Sequence, residues 1–147
     1  MTTKIALVVD DTPANLDFLE RLLLMANFDV RGASTYKQAM EQIADIDDLA
    51  LAVVDIQLPD SNGLRLTEDL RKKYPDSYLV VATMYDERSL VERVFNRGGN
   101  VYLVKPHGFM ELYKRLTTHD LEKLRKDDHL MIDQYGPRVI SSASQET

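Results

Sequence analysis

Five short apolar runs are the most regular feature of the hydrophobic pattern, at residues 5–9, 28–31, 49–54, 78–82 and 101–104. Runs such as ALVV, LALAVV and YLVVA are continuous rather than alternating. Continuous runs are typical of strands that are buried on both faces, as in a parallel sheet covered by helices. Successive runs start about 21 to 29 residues apart, which is roughly the length of one strand-plus-helix unit. The pattern predicts five parallel strands with helices between them.

The segments between the runs carry the signals of helices. Thr12 is the predicted N-cap of the first helix, and Pro13 takes its first position. Capping residues, apolar spacing and Gly or Pro stops predict three more helices at about 35–46, 63–74 and 87–96, and a fifth that begins near residue 108. Residues 1–117 are therefore expected to form one (βα)₅ domain.

The remaining residues, 118–147, are expected to form a helical linker and a tail. Residues 109–131 contain no Gly or Pro and would span roughly 33 Å as one helix. The apolar spacing slips in phase between residues 116 and 121, so the coiled-coil signal is weak. Residues 136–147 are small and polar, and we expect them to be disordered.

Composition narrows the classes of partner and site. The chain has 147 residues, a net charge of −6 and no cysteine. The negative charge argues against binding to nucleic acid or to acidic membranes, and the lack of cysteine excludes disulfides and thiolate sites. The first apolar run is too short for a signal peptide or a membrane span. A soluble, cytoplasmic protein is the expectation.

Polar residues follow the predicted strands where ligands bind in open parallel sheets, beyond the carboxyl ends. These residues are Asp10 and Asp11, Asp55, Thr83, and Lys105 with Pro106. Each has an ordinary explanation alone, as a helix cap, a loop residue or a turn. Their occurrence together, at the ends of four strands, predicts a functional site.

The predicted chemistry follows from the residue types. Three neighbouring carboxylates repel one another unless a cation neutralises them, and oxygen ligands suit Mg²⁺. Lys105 adds an ammonium and Thr83 a hydroxyl, so the site could hold a phosphoryl group. Asp55 is the candidate nucleophile, which would form an acyl phosphate.

The same residues carry a family resemblance. The segments ALVVDDTPANLDFL, VVDIQLPDSNGL, VVATM and GGNVYLVKP resemble a response-regulator receiver domain of two-component signalling over about residues 4–116. The resemblance implies a doubly wound, flavodoxin-like α/β sheet of strand order 2-1-3-4-5.

The resemblance also implies a role for each site residue. Asp55 would be the phosphoacceptor for a sensor histidine kinase or phosphotransfer protein. Asp11 would bind Mg²⁺ directly, Asp10 would bind through water or give acidic support, and Gln57 would offer its backbone carbonyl. Lys105 would pair with phosphoryl oxygens. Thr83 and Tyr102 would form the switch, with Tyr102 turning inward as Thr83 moves. The peptide bond that precedes Pro106 would be cis.

Three neighbours of the site depart from the family's usual residues. Met84 follows Thr83 where the family favours Ala or Gly, Gln57 replaces a residue that is commonly apolar, and Tyr85 borders the site. We expect them to alter the lifetime of the phosphorylated form and to leave the acceptor unchanged.

Two other classes of protein use a similar set of residues. An aspartyl-phosphate phosphatase of the haloacid-dehalogenase class would need a D-x-D arrangement after the first strand, and Asp10-Asp11-Thr12 does not supply it. A receiver-like module that is never phosphorylated would lack Asp55, Asp11 or Lys105, and all three are present. We therefore expect a signalling domain whose only enzymatic chemistry is its own phosphorylation and dephosphorylation.

The residues after the predicted domain bear on how it passes on its signal. Residues 118–147 carry four basic and six acidic residues, which does not favour direct DNA binding. The chain could act alone on a downstream protein, or it could be the receiver of a longer protein with an output domain. We expect a homodimer through the strand-four and strand-five face, continued along residues 109–131.

Overall fold

The computed structural model describes residues 4–84, 88–106, 108–126 and 129–140, without the side chain of Arg88. The elements in chain order are β1 Ile5–Val9, α1 Pro13–Met25, β2 Asp29–Ala33, α2 Tyr36–Gln42, β3 Leu51–Asp55, α3 Gly63–Lys73, β4 Tyr78–Thr83, α4 Arg88–Asn96, β5 Val101–Val104, α5 Gly108–Thr118, α6 Leu121–Lys126, β6 Leu130–Asp133 and β7 Gly136–Val139. The five predicted strands are all present; β1 and β5 have the predicted ends, and the ends of β2, β3 and β4 differ from the prediction by at most two residues.

The strands form one sheet in the order β2-β1-β3-β4-β5-β6-β7. The first six pair in parallel, and β7 returns antiparallel to β6. The predicted doubly wound order 2-1-3-4-5 is confirmed. Because β2 and β3 lie on opposite sides of β1, the strand order reverses between β1 and β3, and the carboxyl ends of these two strands meet there.

Strands β3 and β4 are buried along their whole length, as their continuous apolar runs predicted. Successive side chains of each strand enter different apolar clusters on the two faces of the sheet. A third cluster lies on the α4 side of the outer strands and surrounds Tyr102. The site at the strand ends therefore stands on a core that is packed from both faces.

Local sequence explains where the helices begin. Thr12 is the N-cap of α1 with Pro13 directly after it, although the Thr12 side chain makes no capping bond. The carboxylate of Asp10 accepts a hydrogen bond from the Thr12 N–H instead, at 2.9 Å. The side chains of Thr35 and Asn62 cap α2 and α3 by accepting backbone N–H bonds.

The expected helix over residues 109–131 is wrong. Helix α5 ends at Thr118, α6 ends at Lys126, and the chain then enters β6 and β7. The phase slip after residue 116 marks the break, because Leu116 and Leu121 both pack on the same core from separate helices. Residues 136–139 form β7 where a disordered tail was expected, and residues 141–147 lie outside the described part. The long helix that was expected to continue a dimer contact along residues 109–131 is therefore not formed.

Among the helices of the described residues, none combines the length and the apolar content that a membrane crossing requires.

Candidate functional site: an acidic cluster at the carboxyl ends of the strands

The predicted carboxylates come together in the structure. Asp10 follows β1 and Asp55 ends β3, and these two strands are parallel neighbours. Asp11 lies beside them at the surface. One carboxylate oxygen from each of Asp10, Asp11 and Asp55 lies within 4.8 Å of the others. Paired strands and the short β1–α1 turn are enough to build this cluster.

Lys105 completes the cluster from the end of β5. Its Nζ lies 3.0 Å from Asp10 Oδ2 and 3.3 Å from Asp55 Oδ2. The backbone N–H of Lys105 donates to the carbonyl of Thr83 at 2.7 Å, and the Lys105–Pro106 bond is cis. Asp10, Asp55 and Lys105 are 1%, 6% and 7% exposed. The buried carboxylates of Asp10 and Asp55 therefore share the Lys105 ammonium, while Asp11 lies beside them at the surface.

Burial in the site changes the acidity of Asp55. Burial raises the pKa of its carboxyl from 3.8 to about 6, and the nearby charge of Asp10 adds to the rise. The Lys105 ammonium and the Gln57 N–H hold this pKa down. A divalent cation beside Asp55 would favour the ionised form, which is the nucleophilic one. The donor set, with only oxygen ligands and a surplus of negative charge, fits such a cation.

The turn after β3 presents its backbone to Asp55. The Gln57 N–H donates to Asp55 Oδ1 at 3.1 Å, while the Gln57 side chain is exposed. Gly63 closes the turn, and its N–H donates to the carbonyl of Ile56 at 2.7 Å. A Cβ on Gly63 would lie 2.3 Å from the Asp55 carbonyl oxygen, so only glycine fits here. Sequence reasoning identified Gly63 as a helix start but missed this second role.

The remaining predicted residues lie at different distances from the cluster. Thr83 ends β4 and is buried, whereas the Met84 side chain is 70% exposed. Tyr102 lies in β5, away from the strand end, and is fully buried in the cluster on the α4 side. Tyr85 falls outside the described residues. The structure thus brings together Asp10, Asp11, Asp55 and Lys105, and places Tyr102 in the sheet beneath them.

Sequence reasoning missed one further aspartate at this edge. Asp133 ends β6, which runs parallel to β5, and is 4% exposed. Its carboxylate accepts bonds from the Tyr135 N–H and from the Arg138 guanidinium. The segment LMID repeats the pattern of LVVD and AVVD, an apolar strand followed by Asp. That repetition was the signal that could have revealed β6.

Comparisons with known proteins agree with this geometry. The family described as response regulator receiver domain matches residues 6–117. Response regulator protein PilR of Pseudomonas aeruginosa is 30% identical over 146 residues, which cover 95% of this chain and 33% of that protein. The chain spans about a third to a half of the length of the first curated relatives that it matches.

Two solved structures extend the likeness to three dimensions. A CheY-like receiver domain protein from Methanospirillum hungatei is 28% identical with a TM-score of 0.75, covering 85% of this chain and 98% of that one. A response regulator from Burkholderia pseudomallei, described with a phosphorylated aspartic acid, a calcium ion and citrate, is 26% identical with a TM-score of 0.69. The match covers 83% of this chain and 71% of that one. The family match over most of the chain, on a sheet of this order, shows that the protein belongs to the response regulator receiver domains.

Proposed function

We propose that the chain is a phosphorylation-dependent switch of a two-component system, with Asp55 as the phosphoacceptor. The observation that carries the proposal is the buried cluster in which Asp55 lies beside Asp10, Asp11 and Lys105. A carboxylate oxygen of Asp55 bonds to phosphorus while the bond from phosphorus to the donor's histidine nitrogen breaks. The leaving imidazole keeps the electron pair and takes up a proton. The donor is a sensor histidine kinase or a phosphotransfer protein.

Mg²⁺ is the proposed cofactor. Asp11 and Asp55 would hold it with the backbone carbonyl of Gln57, and Asp10 would bind through water or supply acidic support. When bound, the ion neutralises charge on the carboxylates and on the transferring phosphoryl group. The description of the similar structure from Burkholderia pseudomallei names both a phosphorylated aspartic acid and a calcium ion, so a protein of this kind has been found with a hard cation.

Lys105 and Thr83 are the proposed phosphoryl-binding residues. The Lys105 ammonium already lies 3.3 Å from the Asp55 carboxylate, so it can pair with phosphoryl oxygens on that residue. Thr83 ends the neighbouring strand and would donate its hydroxyl to another of these oxygens. We propose that movement of Thr83 is coupled to the position of Tyr102, and that this coupling changes the protein-binding face.

The neighbours of the site are proposed to set the lifetime of the acyl phosphate. The side chains of Gln57 and Met84 are both exposed, at the turn after β3 and directly after β4. Groups in these places can change the access of water to Asp55. Tyr85 has the same proposed role. Met84→Ala should therefore change the half-life of the phosphorylated protein and leave the site of phosphorylation unchanged.

The experiment that tests the acceptor compares two aspartates at the same edge of the sheet. Wild type, Asp55→Asn and Asp133→Asn are incubated with Mg²⁺ and acetyl phosphate, and modified peptides are identified by mass spectrometry. We expect modification at Asp55 in the wild type and in Asp133→Asn, and none in Asp55→Asn. EDTA should abolish the modification. Equal modification of Asp55→Asn and wild type would refute the assignment.

The partners and the location follow from the proposed reaction. A histidine-kinase donor places the chain in the cytoplasm, and the output is either a downstream protein or a further domain. The homodimer stays a prediction, and because β6 pairs with the edge of β5, a contact at that side of the sheet would involve β6 and β7. Sedimentation with and without beryllofluoride tests it. A monomer in both states would remove the dimer.

A further inference from the structure

Strand β5 is not the edge of this sheet, because β6 and β7 lie beyond it. The β6–β7 hairpin, residues 130–139, pairs with β5 through Leu130, Met131 and Ile132. On the α4 side, one row of neighbouring residues crosses four strands: Val81, Tyr102, Met131 and Arg138. Met131 is therefore the direct neighbour of Tyr102 on the outer side.

The hairpin packs against the same apolar cluster that contains Tyr102. Met131 is buried in that cluster and Ile140 packs against it. The ring of His129 stacks on Phe95 of α4, with centroids 4.3 Å apart. On its far side Met131 contacts the Arg138 guanidinium, at 3.6 Å from sulfur to nitrogen. Met131 is thus held between Tyr102 and Arg138.

Burial of Tyr102 depends on this arrangement. The residue has no exposed surface, although a strand at the edge of a sheet would leave its outer side open. Movement of the Tyr102 ring outward along the sheet meets Met131, and packed side chains give way only in discrete steps. Displacement of Tyr102 in that direction therefore requires displacement of the hairpin.

We propose that the β6–β7 hairpin is an intramolecular clamp that holds Tyr102 inside and so favours the phosphorylated state of Asp55. Met131 is the positioning residue. The inference rests on the proposed function, in which Tyr102 turns inward as Thr83 moves toward the phosphoryl group. Coupling between two sites is reciprocal. The hairpin therefore strengthens binding of a phosphoryl analogue at Asp55, and the analogue in turn tightens the hairpin.

The test uses the full chain with Mg²⁺ and beryllofluoride, and measures the dissociation constant by calorimetry. Met131→Ala removes the side chain that blocks outward movement of Tyr102. The fraction of molecules that have Tyr102 turned inward, and that can bind beryllofluoride, should therefore fall. A fall to between a tenth and a third weakens binding by about 3- to 10-fold. Met131→Leu, which keeps the volume, should restore binding to within about 2-fold.

Ile132→Ala is the matched control. Ile132 is the next residue of β6 and is also buried, but it faces the opposite core with Leu103 and Phe109. The dissociation constant of Ile132→Ala for beryllofluoride should therefore stay within about 2-fold of that of the wild type. Equal weakening by Met131→Ala and Ile132→Ala would overturn the role of Met131, because it would show only general loss of the hairpin.

Amide hydrogen exchange gives a second measurement on the wild type, in case Met131→Ala fails to fold. Beryllofluoride should slow exchange at residues 130–133 several-fold. Unchanged exchange there, in protein that binds beryllofluoride, would overturn the clamp and leave the proposed function standing. Failure of the wild type to bind beryllofluoride would instead refute the proposed function itself.

Discussion

Two buried aspartates, Asp55 and Asp133, end parallel strands at the same edge of the sheet and have opposite surroundings. Asp133 has the Arg138 guanidinium and the Tyr135 N–H as partners, both within its own hairpin. Asp55 shares the Lys105 ammonium with Asp10, and a carboxylate oxygen of Asp11 lies within 4.8 Å of both aspartates. The Asp133–Arg138 pair is neutral and lies within one hairpin, whereas Asp10, Asp11 and Asp55 together with Lys105 carry a surplus of two negative charges.

Position at a strand end therefore does not by itself make an aspartate reactive. Burial is similar, with Asp55 at 6% and Asp133 at 4% exposed. What differs is the charge balance, since a satisfied carboxylate is a turn cap and an unbalanced cluster attracts a cation and a phosphoryl group. Four measurements of stability and ion binding test this contrast.

The largest expected effect is loss of the shared cation. Lys105→Met leaves the buried Asp10 and Asp55 carboxylates without the ammonium that they share, and at pH 7.5 without Mg²⁺ the free energy of unfolding should fall by about 3 kcal/mol. Arg138→Met should cost about 1 kcal/mol, because the Arg138 side chain is 48% exposed and water can replace it. Urea unfolding measures both. Equal losses would mean that the two aspartates have equivalent surroundings.

The second effect is a gain in the free energy of unfolding when Asp55 is replaced. The pKa of Asp55 is raised to about 6, so the folded state binds its proton more tightly than the unfolded state does. The stability of the wild type should therefore fall as pH rises from about 4 to about 6. Asp55→Asn, which cannot ionise, should be more stable by about 2 kcal/mol at pH 7.5 without Mg²⁺.

The same variant supplies its own control. Below about pH 4 the gain in Asp55→Asn should disappear, because Asp55 is protonated in both the folded and the unfolded wild type. Urea unfolding at pH 4 and at pH 7.5 distinguishes this from a general stabilisation. A gain that is the same at both pH values would contradict the raised pKa.

The third effect is stabilisation by metal. At ten times its dissociation constant, Mg²⁺ should raise the free energy of unfolding of the wild type by about 1.4 kcal/mol. Asp11→Asn should reduce this gain at a fixed Mg²⁺ concentration, because it removes a proposed ligand. Asp133→Asn should keep the full gain. A thermal shift titration measures all three, and an undiminished gain in Asp11→Asn would exclude that residue as a ligand.

The smallest effect should come from Asp133→Asn, with a loss of about 1 kcal/mol. An asparagine oxygen can still accept the Tyr135 N–H, and the lost ion pair involves a half-exposed arginine. Hydrogen exchange at residues 130–139 should become faster, and phosphorylation of Asp55 should persist. Loss of phosphorylation in a folded Asp133→Asn would mean that this aspartate belongs to the site.

Much of the domain could be predicted because its signals are local. Continuous apolar runs identified β1 to β5, and the residues that follow them identified Asp10, Asp55, Thr83 and Lys105. Strand ends were less certain, as β2 and β3 begin one or two residues after the predicted positions. Cap residues such as Thr35 and Asn62 made the helix starts readable.

The C-terminal hairpin could not be predicted in the same way. Leu130, Met131 and Ile132 are too few to show a period, and the absence of Gly or Pro before them favoured a helix. They become a strand because β5 offers unpaired backbone groups and two apolar surfaces, which exist only once the sheet has formed.

The positions of the five strands along the chain and the polar residues at their ends follow from the sequence alone, because they depend on local hydrophobicity and spacing. The order of the strands in the sheet was implied only by the family resemblance. The tertiary structure decided the placement of Lys105 between Asp10 and Asp55, the raised pKa of Asp55, and the burial of Tyr102 beneath Met131. Each of these arises from groups that are far apart in the chain and interact only when folding removes water from between them.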